Sequence, residues 1–132
     1  MPGEWASRRG GAGGAYWAMA IPHAGSGEPI DVHPLGARLH ETKTVALFKS
    51  DELEVLHLVL PAGKGMPPHK VPGEITIQCI EGALDVTVNG VSQVLRAGQL
   101  MFLNGNVVHG VLAIEDASAL VTIVLHCAGS GK

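Results

Sequence analysis

From Thr44 onward the chain reads as short apolar segments separated by turn-forming residues. Residues 44–48 and 53–60 are rich in β-branched and aliphatic side chains. In the second segment Leu53, Val55, His57 and Val59 fall on one face, and Glu54, Leu56, Leu58 and Leu60 on the other. Both faces are largely apolar, which predicts a strand with a core on one side and another sheet or subunit on the other. Residues 61–65 (Pro-Ala-Gly-Lys-Gly) and Pro67-Pro68 break the chain before His69. Pro72-Gly73 then turns it into a strand over 74–80, which ends at Glu81-Gly82. Leu84, Val86 and Val88 alternate up to Asn89-Gly90, the pair that supplies the two positive φ angles of a type I′ turn, so residues 84–88 and 91–95 are predicted to form a hairpin. Ala97-Gly98 leads to a strand over 100–103, Asn104-Gly105-Asn106 to one over 107–114, and Glu115-Asp116 to a last one over 120–127. Short strands at regular spacing, with no amphipathic helix and no solenoid repeat, predict an all-β barrel or sandwich.

Residues 1–30 fall outside this pattern. Gly10-Gly11, Gly13-Gly14, Gly25, Gly27 and Pro22 offer too little surface to bury against the entropy of ordering them, so this stretch is expected to be a flexible arm and residues 31–132 a single domain. Arg8-Arg9 ahead of Ala18-Met19-Ala20 has the outline of an export signal, but the residues between are rich in glycine and make a poor apolar core for one. Met19, where the Gly/Ala-rich sequence stops, is a second candidate start.

Composition narrows the function classes. Apolar residues make up 46% of the 132 and aromatic ones only 4%, which favours packing by β-branched side chains. At this length about two-thirds of the unfolded surface is buried on folding, so neither a metal nor a disulfide is required for stability. The net charge is −3 and the nine basic residues are scattered, which argues against nucleic acid as a partner. The longest apolar run, residues 119–125, is too short to cross a bilayer as a helix. Cys79 and Cys127 both sit in apolar segments and read as buried thiols of a reducing, cytoplasmic compartment. Nucleophile-elbow, P-loop and dinucleotide motifs are absent from the sequence.

Two spacings carry the chemistry. Gly63, five residues, His69-Lys70-Val71, three residues, Ile75, six residues and Gly82 follow the pattern G-x5-H-x-H-x3-E-x6-G, with Val71 and Ile75 at the second His and the Glu. Fifteen residues on, Gly98, five residues, Asn104-Gly105-Asn106, two residues and His109 follow G-x5-P-x-G-x2-H-x3-N, with Asn104, Asn106 and Ala113 at the Pro, the second Gly and the Asn. Over residues 45–125 the chain therefore resembles the cupin superfamily, in particular small single-domain bacterial cupins with an RmlC-like jelly-roll barrel.

The resemblance implies a cupin β-barrel of two antiparallel sheets whose motif side chains point into a lumen. There His69, Val71, Ile75, Ile77 and Cys79 share strand parity, with His109 opposite. It also implies a divalent metal, iron, manganese, nickel or zinc, held by three His and a Glu; of that set only His69 and His109 are kept. Cys79 is a candidate third donor and an ordinary buried thiol by default, while Glu74 is one step out of register with the Glu position. His57 and His126 are expected to pack within strands, and His23, His33 and His40 to be solvated. Two function classes follow. The first is a non-enzymatic protein binding a small polar or anionic molecule through His69 and His109, with no cofactor expected. The second is a metal-dependent dioxygenase or isomerase using the same two residues. Apolar residues on both faces of residues 53–60 and 120–127 predict a homodimer.

Overall fold

The computed structural model describes residues 24–125. Nine strands carry the fold: β1 (Val45–Lys49), β2 (Leu53–Leu60), β3 (Gly65–His69), β4 (Ile75–Glu81), β5 (Ala83–Val88), β6 (Val91–Arg96), β7 (Leu100–Leu103), β8 (His109–Ala113) and β9 (Ala117–Val124). They form two antiparallel sheets, ordered β1-β2-β9-β4-β7 and β3-β8-β5-β6. This is the all-β architecture the spacing of turns predicts. The barrel interior is aliphatic: Leu58, Leu60, Ile75, Ile77, Leu84, Val86, Leu95, Leu103 and Val111 are buried together, with Cys79 and the small Ala113, Ala117 and Ala119. Alternation along each strand selects this face, and the even members of β2 (Leu58, Leu60) lie inside with the odd members of β4 and β9.

The hairpin forms at Asn89-Gly90, whose φ angles of 49° and 85° are those of a type I′ turn. Gly82, the last residue of the first motif, has φ 78° and stands so close to the bend before β9 that a Cβ would come within 2.0 Å of Asp116 O. Both its conformation and its contact require glycine there.

Three elements differ from the sequence expectation. Pro67-Pro68, read as a break, lies within β3, because β3 is an edge strand and carries a register shift between Met66 and His69; neither proline N is needed for a ladder. The last strand begins at Ala117 rather than Leu120, since Ala117, Ser118 and Ala119 are small enough to pack at 0–1% exposure without the bulky β-branched or aliphatic side chains that mark a strand in the sequence. A 3-10 turn, Gly36–Glu41, precedes β1 and buries Leu39.

That turn belongs to a strap laid over the outside of the five-stranded sheet. The Glu81 carboxylate accepts hydrogen bonds from Leu35 N–H (2.8 Å), Gly36 N–H (3.1 Å) and Ser118 Oγ–H (2.6 Å). His40 Nε2 bonds Asp116 Oδ2 at 2.8 Å. The expected arm lies outside the described residues as far as His23, as do His126 and Cys127. Ala24 N–H donates to Leu47 O of β1 at 2.9 Å. No helix among the described residues is long and apolar enough to cross a membrane.

Candidate functional site

β3 and β8 are neighbours at one edge of the four-stranded sheet, and their ladder sets His69 opposite His109. The two ring centroids are 4.6 Å apart, with the planes inclined at 51°. His109 is only 5% exposed whereas His69 is exposed, so the pair runs from solvent into the end of the barrel.

Two turns hold this arrangement. Asn106 N–H donates to Val71 O at 2.7 Å, joining the turn before β8 to the loop after β3. Gly105 lies against that loop so closely that a Cβ would stand 2.1 Å from Pro72 O. Asn106 itself has φ 61°, a left-handed conformation that asparagine reaches more readily than most side chains, so the replacement of the motif's second glycine keeps its backbone shape.

The imidazoles are oriented in the same way. His69 Nδ1 lies 3.1 Å from Pro67 O, and His109 Nδ1 lies 3.0 Å from Val107 O. A carbonyl oxygen only accepts, so each Nδ1 carries the hydrogen, and in a neutral ring Nε2 is then a bare lone pair. Among the described residues neither Nε2 is engaged in a hydrogen bond.

The remaining predicted site residues divide along the barrel axis. Ile75 begins β4 just after the His69 loop and pairs with Leu103, which ends β7 just before the His109 turn. Ile75 and the partly buried Val71 therefore belong to the histidine end. Ile77 is 1% exposed in mid-barrel. Cys79 lies four residues beyond Ile75, roughly 13 Å along the strand. Its thiol donates to Glu81 O (3.4 Å) and Gly82 O (3.7 Å), and burial pushes its pKa up. The structure thus does not bring Cys79 to the histidines. Glu74 is exposed, on the parity opposite to Ile75. His57 lies on the outer face of the five-stranded sheet, 6% exposed, with Nε2 unpartnered among the described residues. Burial, opposed by the charges of Glu81 and Asp31, holds it below the usual imidazole range.

Val88 joins the site from outside both motif spacings. It is the direct ladder neighbour of His109, and the alternation of 84, 86 and 88 in the hairpin was the signal that could have placed it there. At the histidine end the walls are therefore aliphatic. Among the described residues no three His, Cys, Asp or Glu side chains converge, and two imidazoles fall short of the three or more protein donors that hold a resident divalent ion. The residues present do not fit the metal that the motif spacing implies.

Two antiparallel sheets closed over an aliphatic core, with imidazoles from β3 and β8 meeting at one end, define a double-stranded β-helix. The cupin domain family matches residues 56–126, and the chain belongs to that family. No curated protein matches it. Among solved structures it is similar to a conserved protein of unknown function from Streptococcus pyogenes, at 16% identity over 80% of this chain and 93% of that one, with a TM-score of 0.64. An RmlC-like cupin from Shewanella frigidimarina aligns at 23% identity over 81% and 94% of the two chains, with a TM-score of 0.61. An RmlC-like cupin with a double-stranded β-helix fold from Methanocaldococcus jannaschii aligns at 20% identity over 77% and 94%, also with a TM-score of 0.61. At these identities the likeness speaks to the fold alone.

Proposed function

We propose that this cupin is a non-enzymatic binder of a small polar or anionic molecule, held at the barrel end between His69 and His109 without a resident metal. The observation that carries the reading is the pair itself: two rings 4.6 Å apart, both with Nδ1 tied to the backbone, one exposed and one buried. Fixed polar groups at the rim of an apolar enclosure are what orients a small ligand. Val71 and Ile75 supply an apolar wall where a metal cupin would supply donors. Within this reading the protein acts in the cytoplasm, where the buried free thiol of Cys79 persists, and as a homodimer.

The test is a small-molecule screen against protein labelled in its histidine rings, read by NMR. A ligand of this site shifts the His69 and His109 signals together and loses affinity in His69→Ala. Hits that leave both rings unmoved would place binding elsewhere and refute the reading. Stoichiometric metal in the tag-free protein, lost in His69→Ala, would refute its metal-free form.

A further inference from the structure

We propose that the histidine pair selects ligands whose polar end donates two hydrogen bonds, such as a primary carboxamide or two neighbouring hydroxyls, and rejects carboxylates of the same shape. This narrows the ligand class of the site above and rests on that reading.

The argument starts from the two carbonyls. Pro67 O and Val107 O each have only lone pairs to offer, so both Nδ1 atoms must be N–H donors. With that hydrogen committed, a neutral ring presents Nε2 to the ligand purely as an acceptor. The ring centroids are 4.6 Å apart, so one small head group can reach both rings, and an –NH2 group or two adjacent hydroxyls would serve the two Nε2 atoms at hydrogen-bond lengths of about 2.9 Å.

The wall residues that pack against the core at this end do not reverse that polarity. Val71 and Ile75 occupy the other two motif positions, and Val88 stands beside His109 in the ladder; all three are aliphatic. Met66, in the ladder row next to the histidines, offers only a weakly accepting thioether. A ligand's donor group left without an acceptor on burial is costly, and so is an acceptor facing two lone pairs. An acceptor-only head such as a carboxylate therefore meets lone pairs with lone pairs. A donor head satisfies both rings and leaves its apolar body against the aliphatic wall.

The experiment uses the full chain with 15N-labelled imidazoles in alkaline buffer, and three probes sharing a phenyl body: benzamide, benzyl alcohol and benzoate. Long-range 15N–1H spectra, assigned through His69→Ala, are expected to show Nδ1 protonated and Nε2 bare in both rings. Benzamide at millimolar concentration is expected to shift both Nε2 signals, benzyl alcohol to shift them less, and benzoate to leave them in place. His69→Ala, at an exposed position that does not disturb the core, should weaken benzamide at least tenfold.

A bare Nδ1 on either ring would overturn the inference at its premise. Benzoate shifting the pair as strongly as benzamide would overturn it while leaving the site reading intact. Benzoate binding abolished by Lys70→Ala would likewise overturn it, assigning selectivity to the neighbouring lysine. If no probe moves either ring, both the inference and the site reading fall.

Discussion

Asn106 donates its backbone N–H to Val71 O at 2.7 Å, and this one bond joins the two turns that deliver His69 and His109 to the same end of the barrel. Asn106 pays for it with a φ of 61°, and Gly105 beside it leaves no room for a Cβ. The site's geometry thus depends on Gly105 and Asn106, which act through their backbone.

Asn106→Val is expected to destabilise the protein by about 1–2 kcal/mol, the cost of a left-handed conformation for an ordinary side chain. Asn106→Gly should be neutral or slightly stabilising. Thermal melts check both, with the Val variant falling by roughly 3–10 °C on the scale for a domain of this size. An unchanged melting point for Asn106→Val would mean that the turn is not held in this conformation.

Metal binding should be weak in the natural chain and gained in Val71→His with Ile75→Glu. Ile75 is 3% exposed among aliphatic residues, so the metal-free double variant is expected to lose several kcal/mol through its buried carboxylate. Calorimetry on the folded variant should show tightened binding of a divalent ion. A folded variant with no gain would show that these two side chains do not converge on the histidines.

The strap should release in acid. Burial alone would raise the Glu81 carboxyl, but hydrogen bonds from Ser118, Leu35 and Gly36 outweigh it and hold the group below its ordinary value. A carboxyl lowered in the folded state stabilises the protein above its unfolded pKa, and this contribution is lost as pH falls through the folded value. Stability measured by denaturant should therefore decline as the pH falls through the ordinary carboxylate range and on below it. Glu81→Gln should flatten that slope and cost on the order of 1–2 kcal/mol at neutral pH through strained or unmatched strap hydrogen bonds. Identical slopes in both proteins would remove Glu81 from the account.

Homodimer formation is expected through the outer face of the five-stranded sheet. The cross-strand rows there run Val55, Thr122, Thr76, Phe102 and His57, Leu120, Gln78, Leu100, with no charged residue in either. Leu100 is 64% and Phe102 57% exposed, while the strap near Glu81 covers the neighbouring part of the face. A neutral, partly apolar face can meet its own copy without like-charge repulsion. Light scattering should give a dimer at micromolar concentration, and Leu100→Lys with Phe102→Lys should give a folded monomer. Leu58→Lys and Val121→Glu should unfold the protein instead, since both residues face the barrel interior. A monomeric natural protein would end the proposal.

Much of the fold was legible because its signals are local. Alternation marks the inner face of β4 and β5, Asn89-Gly90 marks a hairpin because that dipeptide readily takes two positive φ angles, and the two spacings name the cupin barrel before any contact is known. Where local signals mislead, pairing is the reason. Pro67-Pro68 reads as a break until β3 is seen at a sheet edge, where a missing N–H costs no ladder bond. The strap over the outer face left no periodic trace, because a carboxylate 45 residues away holds it.

For the site, the sequence by itself determined which side chains are available: two histidines, and aliphatic residues where two further metal donors would stand. Strand parity also put Ile75, Ile77 and Cys79 on one face. Only the tertiary structure decided depth and direction. Residues on one strand face share a side of the sheet but are spread along its length, so Cys79 lies roughly 13 Å beyond Ile75, and its thiol donates to the backbone carbonyls of Glu81 and Gly82. The ladder between β3 and β8 brings together two rings 40 residues apart in the chain, and the carbonyls of Pro67 and Val107 fix which nitrogen each ring presents. Spacing can record that both histidines exist; their separation and hydrogen-bond polarity depend on three-dimensional contacts that no linear pattern encodes.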